Sequence, residues 1–95
     1  FKTLYEGLNA KVYPNPLKIG KGMISFNGMP PGSKLRIYTL SGKLIRELEE
    51  KNFSNGIINW DVKNKDSKLV SPGIYIYVLS DQQGNRKTGK LAISK

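Results

Sequence analysis

Gly73-Ile74-Tyr75-Ile76-Tyr77-Val78-Leu79 is the stretch that decides the fold. At the spacing of a strand, Tyr75, Tyr77 and Leu79 point to one side, and Ile74, Ile76 and Val78 to the other. A segment apolar on both faces is what the centre of a layered β fold requires. Upstream, Ser71-Pro72 closes a polar loop; downstream, residues 81–85 (Asp-Gln-Gln-Gly-Asn) form a turn.

Working outward, the same period recurs. Residues 86–94 alternate, with Leu91 and Ile93 on one side and Lys90 facing solvent. Ile58, Trp60 and Val62 share a face of the strand before the loop at 63–71. Residues 34–40 (Lys-Leu-Arg-Ile-Tyr-Thr-Leu) place Leu35 and Ile37 inward. Ser41-Gly42 is a tight hairpin break. In residues 43–50, Leu44, Ile45 and Leu48 would also suit a helix face, but two turns alone are marginal. The hairpin signal favours a strand whose phase is changed by a bulge. Residues 29–32 (Met-Pro-Pro-Gly) and 52–56 are turns, and Met23-Ile24-Ser25-Phe26 is a further strand. Val12-Tyr13 is a short first strand, ended by Pro14-Asn15-Pro16, where two prolines fix φ and stop pairing. About seven short antiparallel strands separated by turn signals predict an all-β, immunoglobulin-like β-sandwich over residues 12–95. Residues 1–11 read as a lead-in from a preceding domain. Ile37, Trp60, Tyr77 and Ile93 are expected together in the core.

Composition limits what such a domain can do. The 95 residues hold neither Cys nor His, which removes a disulfide framework, thiolate chemistry, and the commonest general base and metal ligand. The formal charge is +9, from 16 basic and 7 acidic residues. Both halves of the chain carry 8 basic residues, so the charge is dispersed. Dispersed lysines describe a solvated surface that resists edge-to-edge pairing, and no nucleic-acid partner is expected. No uncharged run is long enough to span a bilayer. The chain opens on Phe1 with no signal-peptide pattern and reads as a piece of a longer protein.

Several segments, in order, resemble a known bacterial module. Val12-Tyr13-Pro14-Asn15-Pro16 is similar to the opening of the type IX secretion C-terminal sorting domain (type A), and of the immunoglobulin-like domain named after the flagellar hook-capping protein. Leu35-Arg36-Ile37-Tyr38-Thr39-Leu40-Ser41-Gly42-Lys43-Leu44-Ile45-Arg46 resembles their central hairpin, with Thr39 where Asp is commoner. Asn59-Trp60-Asp61 and Ser71-Pro72-Gly73-Ile74-Tyr75 are similar to their later paired motifs. Val62 replaces the usual Gly after Trp-Asp, which is expected to move that turn toward Asn64. Gly84, then Lys90-Leu91-Ala92-Ile93-Ser94-Lys95, resembles the closing motif.

The resemblance implies a non-catalytic accessory domain of a secreted bacterial protein, sorted across the outer membrane and attached at the surface. Its implied partners are a secretion-machinery or cell-surface protein, with a catalytic or adhesive parent domain upstream. The implied recognition residues are Pro14, Asn15, Pro16, Gly84, Lys87, Lys90 and Lys95. Neither a catalytic set nor a cofactor is expected: the serines lack a His, and Glu47 and Glu49 share an edge-strand face rather than flanking a cleft. Asp61, Asp66 and Asp81, with Asn64, are the only acid and amide grouping suited to a hard cation. Lysines lie among them and no EF-hand spacing is present, so no metal is expected. Two alternatives stand beside sorting. One is a structural immunoglobulin-like spacer. The other is a carbohydrate-binding module, for which Trp60, Tyr38 and Tyr75 would stack on a polysaccharide if exposed.

Overall fold

The computed structural model describes residues 11–20, 22–29, 32–49 and 56–95. Residues 1–10 of the expected lead-in at 1–11, Pro30 and Pro31 of one turn, and residues 52–55 of another lie outside the described residues. Eight strands follow in order: β1 Lys11–Tyr13, β2 Leu17–Lys18, β3 Ile24–Asn27, β4 Lys34–Thr39, β5 Leu44–Glu49, β6 Ile58–Trp60, β7 Gly73–Ser80 and β8 Arg86–Ser94. They form a three-stranded sheet, β1-β3-β6, and a five-stranded sheet, β2-β8-β7-β4-β5. The fold is the all-β sandwich expected, and β7 is the middle strand of the larger sheet.

The strand period explains the core. Tyr75, Tyr77 and Leu79 of β7, Leu35 and Ile37 of β4, and Leu91 and Ile93 of β8 are buried. They meet Ile24 and Phe26 of β3 and Ile58 and Trp60 of β6. Two aromatic pairs cross between the sheets edge to face: Phe26 with Tyr77 at 5.4 Å and Trp60 with Tyr75 at 6.3 Å between ring centroids. Tyr77 also lies over Gly89, its direct partner on β8. A Cβ at Gly89 would stand 2.4 Å from the Tyr77 hydroxyl oxygen, so the ring occupies the space that glycine leaves.

The bulge falls where the residue pattern changes phase. Ile37 pairs with Arg46 but Tyr38 pairs with Leu44, leaving Ile45 as the extra residue. The Ile45 carbonyl accepts a hydrogen bond from the Lys65 amide at 2.9 Å, which ties the edge strand to the loop after β6.

Three features depart from the reading of the sequence. First, the Pro14-Asn15-Pro16 segment does not end the pairing. It carries the chain from the smaller sheet to the larger, where β2 adds a short parallel pairing on β8, Leu17 with Ile93 and Lys18 with Ser94. Second, although the turn after Trp60-Asp61 opens at Asn64 as expected, where the Ser67 amide donates to the Asn64 carbonyl at 3.0 Å, Val62 bends the chain just before it at φ 64°. Burial of the Val62 side chain holds this otherwise disfavoured conformation. Third, β7 is covered on one face only. Ile74 is 42% exposed, and Ile76 and Val78 are half-buried.

Candidate recognition surface

The opening and closing motifs form one structural unit. Asn15 lies beside the outer edge of β8 and uses its side-chain amide as a substitute peptide group. Its Nδ2 donates to the Lys90 carbonyl at 3.0 Å, and its Oδ1 accepts from the Ala92 amide at 3.0 Å. The flanking prolines present no N–H of their own, so the side chain supplies the donor. Four residues on, the Ile19 amide donates to the Ser94 carbonyl at 2.7 Å. Leu17, buried between these contacts, anchors the arm in the core.

The expected recognition residues therefore separate into two groups. Pro14, Asn15 and Pro16 lie along the second half of β8, which Lys90 opens and Lys95 follows, and all five residues are exposed. Gly84 and Lys87 lie toward the opposite end of the nine-residue strand. Gly84 serves the turn, adopting φ 88° between Asp81 and Asn85. Asp81 organises that turn. Its Oδ1 accepts from the Gln83 and Asn85 amides, and its Oδ2 from Asn85 Nδ2, each at 2.9 Å. Desolvation pushes the Asp81 carboxyl up, but the Asn85 and Gln83 hydrogen bonds outweigh it and hold the group below its ordinary range.

The sugar-stacking arrangement does not form. Trp60 is fully buried and Tyr75 nearly so, because both belong to the inward period of their strands. Trp60 Nε1 donates to the Lys63 carbonyl at 2.9 Å, and the Tyr75 hydroxyl donates to the Ser71 carbonyl. Burial raises the pKa of Tyr75 and Tyr77. Only Tyr38 is half-exposed, on the outer face of the larger sheet.

Asp61 and Asn64 are engaged structurally. Asp61 Oδ1 accepts from Arg46 at 2.8 Å, and the same guanidinium nitrogen donates to the Lys63 carbonyl at 2.9 Å. Asn64 Oδ1 accepts from the Asp66 and Lys68 amides, closing the loop before β7. Among the described residues, no three acidic side chains converge as metal ligands would.

The sequence family of secretion system C-terminal sorting domains matches residues 11–94, the stretch closed by the Asn15 contacts. The chain belongs to that family. A domain of this type IX sorting family marks the protein carrying it for secretion to the cell surface or the exterior and implies interaction with the secretion machinery. No curated protein sequence matches the chain.

Among solved structures, the sorting domain is similar to part of PorZ of Porphyromonas gingivalis, described as an essential bacterial surface component of the type-IX secretion system. The identity is 22%, the TM-score 0.77, and the match covers 92% of this chain and 12% of that one. Latent dimeric PorU from the same organism gives 23% identity and a TM-score of 0.66, over 90% of this chain and 9% of that one. CopC from Methylosinus trichosporium OB3b gives 13% identity and a TM-score of 0.50, over 90% and 94% of the two chains. The chain thus spans about a tenth of PorZ and PorU. These likenesses are of fold. Among the described residues, no helix is long and apolar enough to cross a membrane.

Proposed function

We propose that this sorting domain performs no chemistry itself, and that residues 12–95 are a folded address followed by surface attachment of the protein to which they are joined, with residues 1–11 leading in from a preceding domain. The observation that carries this reading is the Asn15 contact with Lys90 and Ala92. It joins the two most separated motifs of a family whose members direct secretion. A partner that reads this end of the domain reads a shape that exists only when the whole sandwich has closed. In this reading Pro14, Asn15, Pro16, Lys90 and Lys95 are contacted together, while Gly84 and Lys87 contribute from the far end of β8.

The test is transport. Residues 11–95 are fused behind a periplasmic reporter in a bacterium that has type IX secretion. The reporter is expected at the cell surface or in the medium, and a reporter lacking the domain is expected to stay in the periplasm. Retention of both would overturn the sorting reading and leave the structural spacer in its place. Removing residues 90–95 is a poor substitute, because it also removes Leu91 and Ile93 from the core. Lys90→Glu with Lys95→Glu keeps the core and should lower export if this end is read.

A further inference from the structure

The two sandwich faces turned outward differ in chemistry. On the smaller sheet the outward row is Tyr13, Ser25 and Asn59, and Ser25 Oγ donates to Asn59 Oδ1 at 2.7 Å. This is the polar exterior expected of a half-solvated antiparallel sheet. The larger sheet breaks that rule. Strand registers place Leu44, Tyr38 and Ile76 in one row, and Ile74 beside Ala92 and Val78 beside Arg36 in the adjoining rows. Leu44 is 41% and Ile74 42% exposed. The result is a continuous apolar band across four strands, with no second layer over it among the described residues. Contiguous apolar surface of this kind marks an interaction site more often than scattered exposed side chains do.

The border of the band carries a directional charge. On one side, Lys34 faces Glu49, and Arg36 is paired with Glu47 at 2.9 Å. On the other side, Lys18 of β2 and Arg86 and Lys90 of β8 are exposed. Their outward neighbours on these strands are Thr88, Ala92 and Ser94, and no carboxylate stands among them. A second copy of the chain is a poor occupant, because a two-fold contact would bring like charges of a +9 molecule together. We propose that the outer face of the five-stranded sheet is a docking surface for an acidic protein, which covers the Ile74-Ile76-Tyr38-Leu44 band and sets its carboxylates against Lys18, Arg86 and Lys90. The apolar band supplies desolvated contact, and the cations supply orientation and encounter rate.

The test is site-directed photocrosslinking. A benzoylphenylalanine replaces Ile76 in the 95-residue chain, and in a control chain it replaces Asn59 on the opposite face. Both are checked for an unchanged unfolding midpoint. They are then irradiated in a detergent-solubilised envelope extract of a type IX-competent bacterium and, separately, with vesicles of anionic phospholipid. The expected result is an adduct from position 76 to an acidic protein, absent from position 59, with a yield that falls about tenfold when Arg86→Glu and Lys90→Glu are added. No adduct at 76, equal adducts at 76 and 59, insensitivity to the charge reversals, or crosslinking to lipid alone would overturn the proposal. Export of the reporter fusion is scored independently. An adduct without export leaves the docking surface standing and removes the sorting reading, and export without an adduct does the reverse.

Discussion

Asn15 and Lys90 are 75 positions apart in the chain, yet the Asn15 amide nitrogen donates to the Lys90 carbonyl at 3.0 Å. The other atom of the same amide accepts from Ala92, so one side chain holds two backbone groups of the last strand. Asn15→Ala removes both bonds and leaves the edge of β8 to water. A neutral hydrogen bond contributes about 0.5–1.5 kcal/mol net, so a loss of about 1–2 kcal/mol is expected for this exposed pair. Urea unfolding should show a lower midpoint at an unchanged slope. Asn15→Asp retains the acceptor but sets a carboxylate against the Lys90 carbonyl, and should be no more stable than the alanine variant.

Gly89 and Tyr77 make a second, sharper prediction. A Cβ at position 89 would lie 2.4 to 2.6 Å from three atoms of the tyrosine ring end. The ring is buried and packed edge to face on Phe26, so it has little room to move. Gly89→Ala should destabilise the domain by about 1–3 kcal/mol, the usual range for overpacking. Tyr77→Phe should not rescue it, because ring carbons clash as well as the hydroxyl. In a double-mutant cycle, Gly89→Ala combined with Tyr77→Leu should cost less than the sum of the two single changes. Additive costs would mean that the ring and the glycine do not share that space.

Val62 should reverse a common ordering. Ordinarily, shortening a buried valine to alanine costs less than removing the side chain altogether. Here φ is 64°, a conformation that penalises every residue with a Cβ by about 1–2 kcal/mol relative to glycine. The one methyl that alanine would retain contributes only about 0.8 kcal/mol of burial. Val62→Gly is therefore expected to be no more destabilising than Val62→Ala. Thermal unfolding of the two variants under identical conditions decides it, and a clearly more stable alanine variant would refute the strain argument.

Asp81 gives the domain an acid-sensitive turn. Its folded pKa lies below the unfolded value of about 3.9, so its contribution to stability is complete above that value. It is lost as the pH falls through the lower folded value, where the carboxylate that accepts from Gln83 and Asn85 becomes protonated. Asp81→Asn removes the titrating group and keeps one acceptor. The fall in melting temperature between about pH 7 and about pH 3 should be smaller in the variant than in the parent.

Most of the fold was legible because sheet packing has a period of two and this sequence keeps it. The inward residues of β4, β6 and β8 were readable directly, and a bulge somewhere in residues 43–50 was expected, which the structure places at Ile45. β2 carried no such signal. Two residues show no periodicity, and the prolines before them suggest an end to pairing. The side-chain amide of Asn15 replaces the missing backbone donor, a substitution that leaves no pattern in one sequence. β7 misled in a different way. Ile74, Ile76 and Val78 promised burial on both faces, but the second layer covers only the tyrosine side. Trp60 was correctly expected in the core, and Tyr75 joins it there, which leaves Tyr38 as the one half-exposed ring of the three considered for sugar stacking. The departure of Val62 from the usual Gly pointed to a turn at Asn64, which forms, but not to the bend at Val62 itself, which burial of its side chain holds.

The parallel pairing of β2 with β8 also sets an order in time. Residues 11–19 leave the ribosome before almost everything they bind, and Lys90, Ala92 and Ser94 leave after every other strand. β7 can meet β4 early, but its other neighbour does not exist until translation has passed residue 94. Closure of contacts so distant in sequence is slow, and until it occurs β7 is an open sheet edge. A chain broken off before residue 90 would keep that edge and an arm with nothing to hold. The closed sandwich is thus a physical record that translation ran through to the final strand.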